Sequence, residues 1–377
     1  MNRSSRFRVL FLSALLLVAG IIVLAREHRP SILRPGLRLY AYVSTAENSV
    51  SVVDLVKLAV VAHVPVGGNI SAMREHPTRA EVWGVSGAGG FAWVLDARTS
   101  QIAARIPVGS LPYSLDFSAD GARAFVAASG ANSLVAIDCA TRQILARAAT
   151  GANPVAVRVS GDGKLLLVLN KKDATVGMYD ASTLQRTGTV SVIPDPEDAA
   201  ILPDDSVAFI MSRTQKRLSV IDLKRGQLLT NLELAGVPSQ MILKPDGGEL
   251  YVLSPESHGL QAINTWTHEV GDYVVLGSAP TRGVLLPDTG ELFVSDAAMG
   301  SVTPVDILYR RVSRPIPAGQ SPGALRFDPG DKARLLLVVS QASGDLSVLR
   351  ITADRANGLL TMIPVGDAPR ELAVKLF

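Results

Sequence analysis

An all-β fold of radially repeated, four-stranded units is predicted by three observations. Pro112, Pro154, Pro196, Pro238, Pro280 and Pro322 recur at a fixed step of 42 residues. A second series, Asp54, Asp96, Asp138, Asp180, Asp222, Asn264 and Asp306, keeps the same step. Between the markers lie short apolar or alternating runs divided by turn residues, and no stretch after residue 38 holds a helical apolar period. Repeats of this length, each unit burying its faces against its neighbours, are stacked or radial, and four strands per unit selects the β-propeller over an α-solenoid.

One unit illustrates the reading. The loop holding Pro112 leads into Tyr113-Ser114-Leu115-Asp116-Phe117, which alternates as a half-buried strand does. Ser118-Ala119-Asp120-Gly121 turns the chain, because Asp caps a bend and Gly accepts positive φ. Ala124–Ala127 is a buried strand, Leu134–Asp138 a third and Ile144–Arg147 a fourth. The turn recurs in phase at Asp162-Gly163, Asp204-Asp205, Asp246-Gly247, Asp288-Thr289-Gly290 and Gly330.

The ends fix the number of units. Leu39–Val43, Ser49–Val53 and Ala59–Val66 supply three strands, and Arg370–Leu376 supplies one. Joined, they complete an eighth blade and pair the two termini, hiding sheet edges that would otherwise be bare. An eight-bladed ring over 39–377 is therefore expected. Seven blades is the alternative if the terminal strands make no full sheet.

Leu39-Tyr40-Ala41-Tyr42-Val43-Ser44, Leu165–Asn170, Glu249–Val252 and Glu291–Val294, in phase with the Val-Gly-x-x-Pro and Asp-Gly turns, resemble the YVTN-type β-propeller repeat over 39–377. The resemblance implies a fold much more than a function. It also implies an exported or surface-associated protein. WD40 repeats match less well, since their Gly-His and Trp-Asp markers are missing.

Arg3, Arg6 and Arg8 precede an uncharged run, Val9–Ala25, laid out as a signal peptide or short membrane anchor. Residues 26–38 then form a linker. The expected location is outside the cytoplasm, periplasmic or at the cell surface, with residues 9–25 as a tether if uncleaved. The net charge of +3 is unevenly placed. Residues 1–38 hold seven of the 37 basic residues and one of the 34 acidic ones, leaving 30 against 33, or −3, for the body. No nucleic-acid partner is expected on that balance. The clusters Arg213, Lys216, Arg217 and Arg310, Arg311, Arg314 read as solvated loop charges. Cys139, the sole cysteine, excludes an internal disulfide and a CxxCH haem attachment.

Propellers bind ligands where the loops entering the innermost strands converge. The first residue after the repeated proline reads Ser71, Tyr113, Val155, Glu197, Ser239, Thr281, Gly323 and Arg370 around the ring; the second reads Ala72, Ser114, Ala156, Asp198, Gln240, Arg282, Ala324 and Glu371. Charges at equivalent inward positions carry desolvation costs that a turn does not require. The candidate binding residues are therefore Tyr113, Glu197, Asp198, Gln240, Arg282, Arg370 and Glu371. Glu197 and Arg370, on blades four and eight, are expected to face each other across the opening.

No catalytic constellation is visible: the G-x-S-x-G elbow, the P-loop and the H-E-x-x-H zinc spacing are all absent. Asp195, Glu197 and Asp198 could offer oxygens to a hard cation, but no EF-hand spacing accompanies them, and no metal or cofactor is expected. The reading is a monomeric, non-enzymatic scaffold for a protein, glycan or small ligand. Two alternatives stay open. One is a cofactor-handling propeller of the haem d1 type, for which Arg74, Arg282, Arg370 and His76 are the candidates. The other is a lactonase-like, cation-dependent hydrolase using Glu197 and Asp198.

Overall fold

The repeated aspartate is a hairpin staple. Oδ1 of Asp138 accepts the backbone N–H groups of Ala140 and Thr141 at 2.9 and 2.7 Å. Asp54, Asp96, Asp180, Asp222 and Asp306 each repeat the pattern two and three residues on, and Asn264 does so with its amide oxygen. The residue four places after each of them (Leu58, Ser100, Arg142, Leu184, Gly226, His268 or Arg310) has positive φ, between 52° and 64°. A short acceptor at a fixed place before a left-handed residue closes a tight turn, so the 42-residue series is a local requirement met once per blade.

The repeated proline opens the innermost strand. Pro112, Pro154, Pro196, Pro280 and Pro322 are each the first residue of a strand, where no ladder N–H is needed, and each is followed by a register shift.

The computed structural model describes residues 38–377 apart from 287–289, 330–334 and 353–355. The signal or anchor expected at 1–25, and most of the linker, lie outside the described residues. Among the described residues no helix is long and apolar enough to cross a membrane.

Eight antiparallel sheets follow one another along the chain. Blade 1 runs from Ala72 to Pro107, blade 2 from Pro112 to Ala149, blade 3 from Pro154 to Ser191 and blade 4 from Pro196 to Glu233. Blade 5 runs from Gln240 to Val275, blade 6 from Pro280 to Pro317 and blade 7 from Pro322 to Pro364. Blade 8 joins Leu39–Ser44, Ser49–Asp54 and Ala59–Pro65 to the carboxy-terminal strand Leu372–Leu376, with Ala41 opposite Val374. The ring is thus closed by the two ends of the chain. Each innermost strand touches the next, and Leu372–Leu376 touches Ala72–Glu75 to complete the circle.

The core lies between blades. Trp83 and Val94 of blade 1 pack with Leu115, Val126 and Ile137 of blade 2, and the same sandwiching recurs around the ring. Outermost strands such as Gln101–Pro107 alternate exposed and covered residues, whereas the middle strands are buried on both faces. Blade 6 departs from the pattern. Its outer strand is split into Arg311–Val312 and Ile316–Pro317 around Pro315, which has no N–H to give the ladder.

Candidate functional site

Inward positions alternate along each innermost strand with period two. The second residue after the repeated proline supplies Asp198 on blade 4, Gln240 on blade 5, Arg282 on blade 6 and Glu371 on blade 8. Two residues further on, the same face supplies Arg74 on blade 1, Asp116 on blade 2, Arg158 on blade 3 and Arg326 on blade 7. Every blade contributes at least one polar side chain, and blade 2 adds Ser114 beside Asp116. Glu371 feels Arg326, Arg282, Arg74 and Arg213, and Arg74 feels Asp116, Arg158, Arg326 and Asp198. Groups from blades all round the ring reach one another in this way only along its axis.

The axial charges are unevenly satisfied. On blades 1 to 4 cation and anion alternate and pair with neighbours: Arg158 to Asp198 at 2.5 Å and Arg74 to Asp116 at 3.7 Å. Burial works against the Arg158 charge, but Asp198 and Asp116 outweigh it and raise its pKa. Asp116 also accepts from the backbone N–H of Val159 on the next inner strand.

On blades 6 to 8 the pattern breaks. Arg282 donates to the Ser239 carbonyl at 2.7 Å and Arg326 to the Leu325 carbonyl at 3.0 Å, and among the described residues neither has an ion-pair partner. Burial, joined by the charges of Arg213 and Arg326, lowers the Arg282 pKa against the opposing pull of Glu371 and Asp198. Burial raises the Glu371 pKa even though four arginines oppose it.

The remaining candidates lie elsewhere. Glu197 does not meet Arg370; it binds Lys171 at 2.5 Å and Arg213 at 3.1 Å, both on loops of its own face of the ring. The register shift after Pro196 turns this first residue away from the axis. Arg370 is exposed, and its backbone N–H donates to Ser44. Tyr113 is 53% exposed at the equivalent bulge. The Gln240 amide is engaged on the next inner strand, accepting from Gly283 N–H at 2.8 Å and donating to its carbonyl at 3.2 Å. Asp195 accepts from the Thr214 hydroxyl, so Asp195, Glu197 and Asp198 diverge. Among the described residues no three His, Cys, Asp or Glu side chains gather as metal ligands.

Of the described histidines, His63 lies on the outer strand Ala59–Pro65 with its Nδ1 against the Ser51 hydroxyl at 2.9 Å, and the other three sit at or beside turns. His76 lies just past the far end of the first inner strand, fully buried against Phe117, and its Nδ1 accepts from Thr78 and Arg79 N–H at 3.2 and 3.0 Å. It therefore cannot reach the mouth as an axial ligand, although the arginines suit carboxylates. His258 and His268 occupy left-handed turn positions, at φ 61° and 59°. Arg213, Lys216 and Arg217 pair with Glu197, Glu256 and Glu233. Cys139 is buried in the core between blades 1 and 2.

Comparisons with other proteins agree with this architecture. The dihydro-haem d1 dehydrogenase NirN, solved in complex with DHE, superposes with a TM-score of 0.76 at 16% identity over 92% of this chain and 77% of that one. The hydrazine synthase of Kuenenia stuttgartiensis gives 0.59 at 18% identity over 75% of this chain and 96% of that one. A functionally unknown protein from Desulfotomaculum acetoxidans DSM 771 gives 0.58 at 14% identity over 76% and 97%. At such identities the likeness is one of fold alone. No curated protein matches the chain. Residues 90–291, more than half of the sequence, match the YNCE-like β-propeller family, and the chain belongs to that family.

Proposed function

We propose that this protein is an exported, non-enzymatic propeller that binds a ligand at the mouth of its axial channel. The observation that carries the reading is the presence of Arg282, Arg326 and Glu371 on the axis without ion-pair partners among the described residues, beside a half-ring whose charges are matched. Leaving charged groups partly desolvated and unmatched costs stability, and a ligand that completes them recovers it. Native mass spectrometry of protein taken from its own host tests the reading. A bound species lost in the double variant Arg282→Gln, Arg326→Gln supports it; an empty protein that captures nothing from a periplasmic extract contradicts it. Export is tested by fractionating host cells, with the protein expected outside the cytoplasm.

A second reading, a tetrapyrrole-handling propeller, draws on the fold likeness to NirN over 92% of the chain and on arginines fit for acidic side chains. His76 does not fit as its axial ligand. An absorbance scan of the native protein decides, a pigment band favouring this reading and a featureless scan the first. The hydrolase reading has less to draw on, because Asp198 and Glu197 are already held by Arg158, Lys171 and Arg213.

A further inference from the structure

We infer that the ligand of the channel is a small dicarboxylate, gripped by Arg282 and Arg326 on adjacent blades, with Glu371 as the group that rejects or accepts it according to charge. This rests on the reading above and narrows it to one chemical class.

The argument begins with where positive charge is placed. The body of the protein is net acidic, with 30 basic against 33 acidic residues after residue 38, yet four arginines and three carboxylates occupy the eight axial positions. Asp116 and Asp198 neutralise Arg74 and Arg158. The excess cation is concentrated on blades 6 and 7, which are consecutive in the ring. Neighbouring arginines repel, and Arg326 lowers the pKa of both Arg74 and Arg282, with Glu371 and Asp198 only partly offsetting this at Arg282. An anion between them removes that repulsion.

The geometry favours two carboxylates over one anion. A guanidinium is a planar fork that takes a carboxylate through two parallel N–H···O bonds. The two forks are rooted on the neighbouring innermost strands of blades 6 and 7, whose Cα traces approach within 8 Å. A short diacid offers one carboxylate to each fork, whereas acetate satisfies only one. The arginines' backbone contacts, to Ser239 and Leu325, use one nitrogen each, leaving other N–H groups of each fork for a ligand.

Glu371 supplies selectivity. It lies within electrostatic reach of Arg326 on blade 7, Arg282 on blade 6, Arg74 on blade 1 and the rim residue Arg213. As a carboxylate it competes with the ligand for these cations; protonated, it becomes a hydrogen-bond donor to a ligand oxygen. Its burial favours the protonated form, and a dianion arriving beside it favours that form further.

Isothermal titration of the full-length protein with succinate, acetate and inorganic phosphate tests the inference. Succinate is expected to bind at least tenfold more tightly than acetate and more tightly than phosphate. Arg282→Gln and Arg326→Gln should each weaken succinate by roughly 10- to 100-fold, the loss of a charge-assisted contact. Glu371→Gln should tighten it several-fold, which a merely structural role would not do. Arg217→Gln, on an outer pair with Glu233, should leave it unchanged, and thermal melts confirm that each variant is folded. Succinate no tighter than acetate, phosphate tighter than succinate, or succinate binding indifferent to all three axial substitutions overturns the inference. If the native protein carries another ligand that the arginine variants lose while succinate fails to bind, the carboxylate class is wrong and the channel-mouth reading survives.

Discussion

Asp296 shows how much one side chain can hold together in this fold. Oδ1 accepts from Ala298 and Met299 N–H, and Oδ2 accepts from Ser278 and Ala279 N–H. Burial opposes its ionisation, yet the four backbone donors outweigh it and hold the pKa below the usual aspartate range. Because the folded value is depressed, the stabilisation is present above the unfolded value and is lost as the pH falls through the folded one. Asp296→Ala should therefore cost about 2–3 kcal/mol in a urea titration at neutral pH, and the deficit should shrink in acid. A deficit that does not change with pH would contradict this. Cys139 gives a second residue-scale test: burial pushes its thiol up to about 12, so a thiol reagent at pH 8 should modify it only after unfolding. Glu371 gives a third. With a raised pKa and a dianion as ligand, succinate affinity should climb as the pH falls toward that raised value, and Glu371→Gln should flatten the dependence. At this scale the sequence made some roles visible and hid others. The turn place of Cys139 is legible because it directly follows the repeated Asp138. The left-handed role of His258 is not legible in a histidine itself, only in its phase with the glycine and asparagine that occupy the same place in other blades, and that of His268 only in its place four residues after Asn264.

A blade is legible because its turns are local. The Asx contact at Asp138 and the Asp120-Gly121 bend involve residues a few places apart, so their chemistry fixes strand lengths without reference to the rest of the chain. The strands expected for the unit at 106–147 agree with those observed, Pro112–Phe117, Arg123–Ala128, Ser133–Asp138 and Ile144–Ala149, to within two residues at each end. The split outer strand of blade 6 was not anticipated, although Pro315 and its missing N–H are in plain view. The first residues after the repeated prolines were misplaced for a related reason: the bulge that follows Pro112 and Pro196 turns Tyr113 and Glu197 off the axis, and a bulge leaves little trace in a hydrophobic pattern. The closing strand is the element on which the ring depends. Truncation after Pro369 removes Leu372–Leu376 from blade 8, leaving Leu39–Ser44 with an open edge. Melting should occur at lower temperature, and hydrogen exchange should quicken first in Leu39–Pro65 and Ala72–Glu75. Uniform quickening around all eight blades, or none, would show that the ring does not rely on this clasp.

For the whole molecule, ring symmetry turns a one-dimensional repeat into a site. Positions 42 residues apart in sequence become neighbours on the axis, so comparing blades at one position finds the residues that break the pattern. That comparison reached Asp198, Gln240, Arg282 and Glu371. It stopped one period short, since the same face continues two residues further to Arg74, Asp116, Arg158 and Arg326, and four of the seven axial charges were missed as part of a common site. Pairing was beyond its reach, because whether Asp198 meets Arg158 or faces across the channel depends on side-chain length and tilt. The central proposal is that the half of the axis bounded by blades 6 to 8 binds an anion. A crystal structure determined after soaking in succinate tests it most directly. The account predicts difference density on the ring axis, bounded by Arg282, Arg326 and Glu371; density confined to the outer faces of the blades, with those three side chains unmoved and nothing between them, would contradict it.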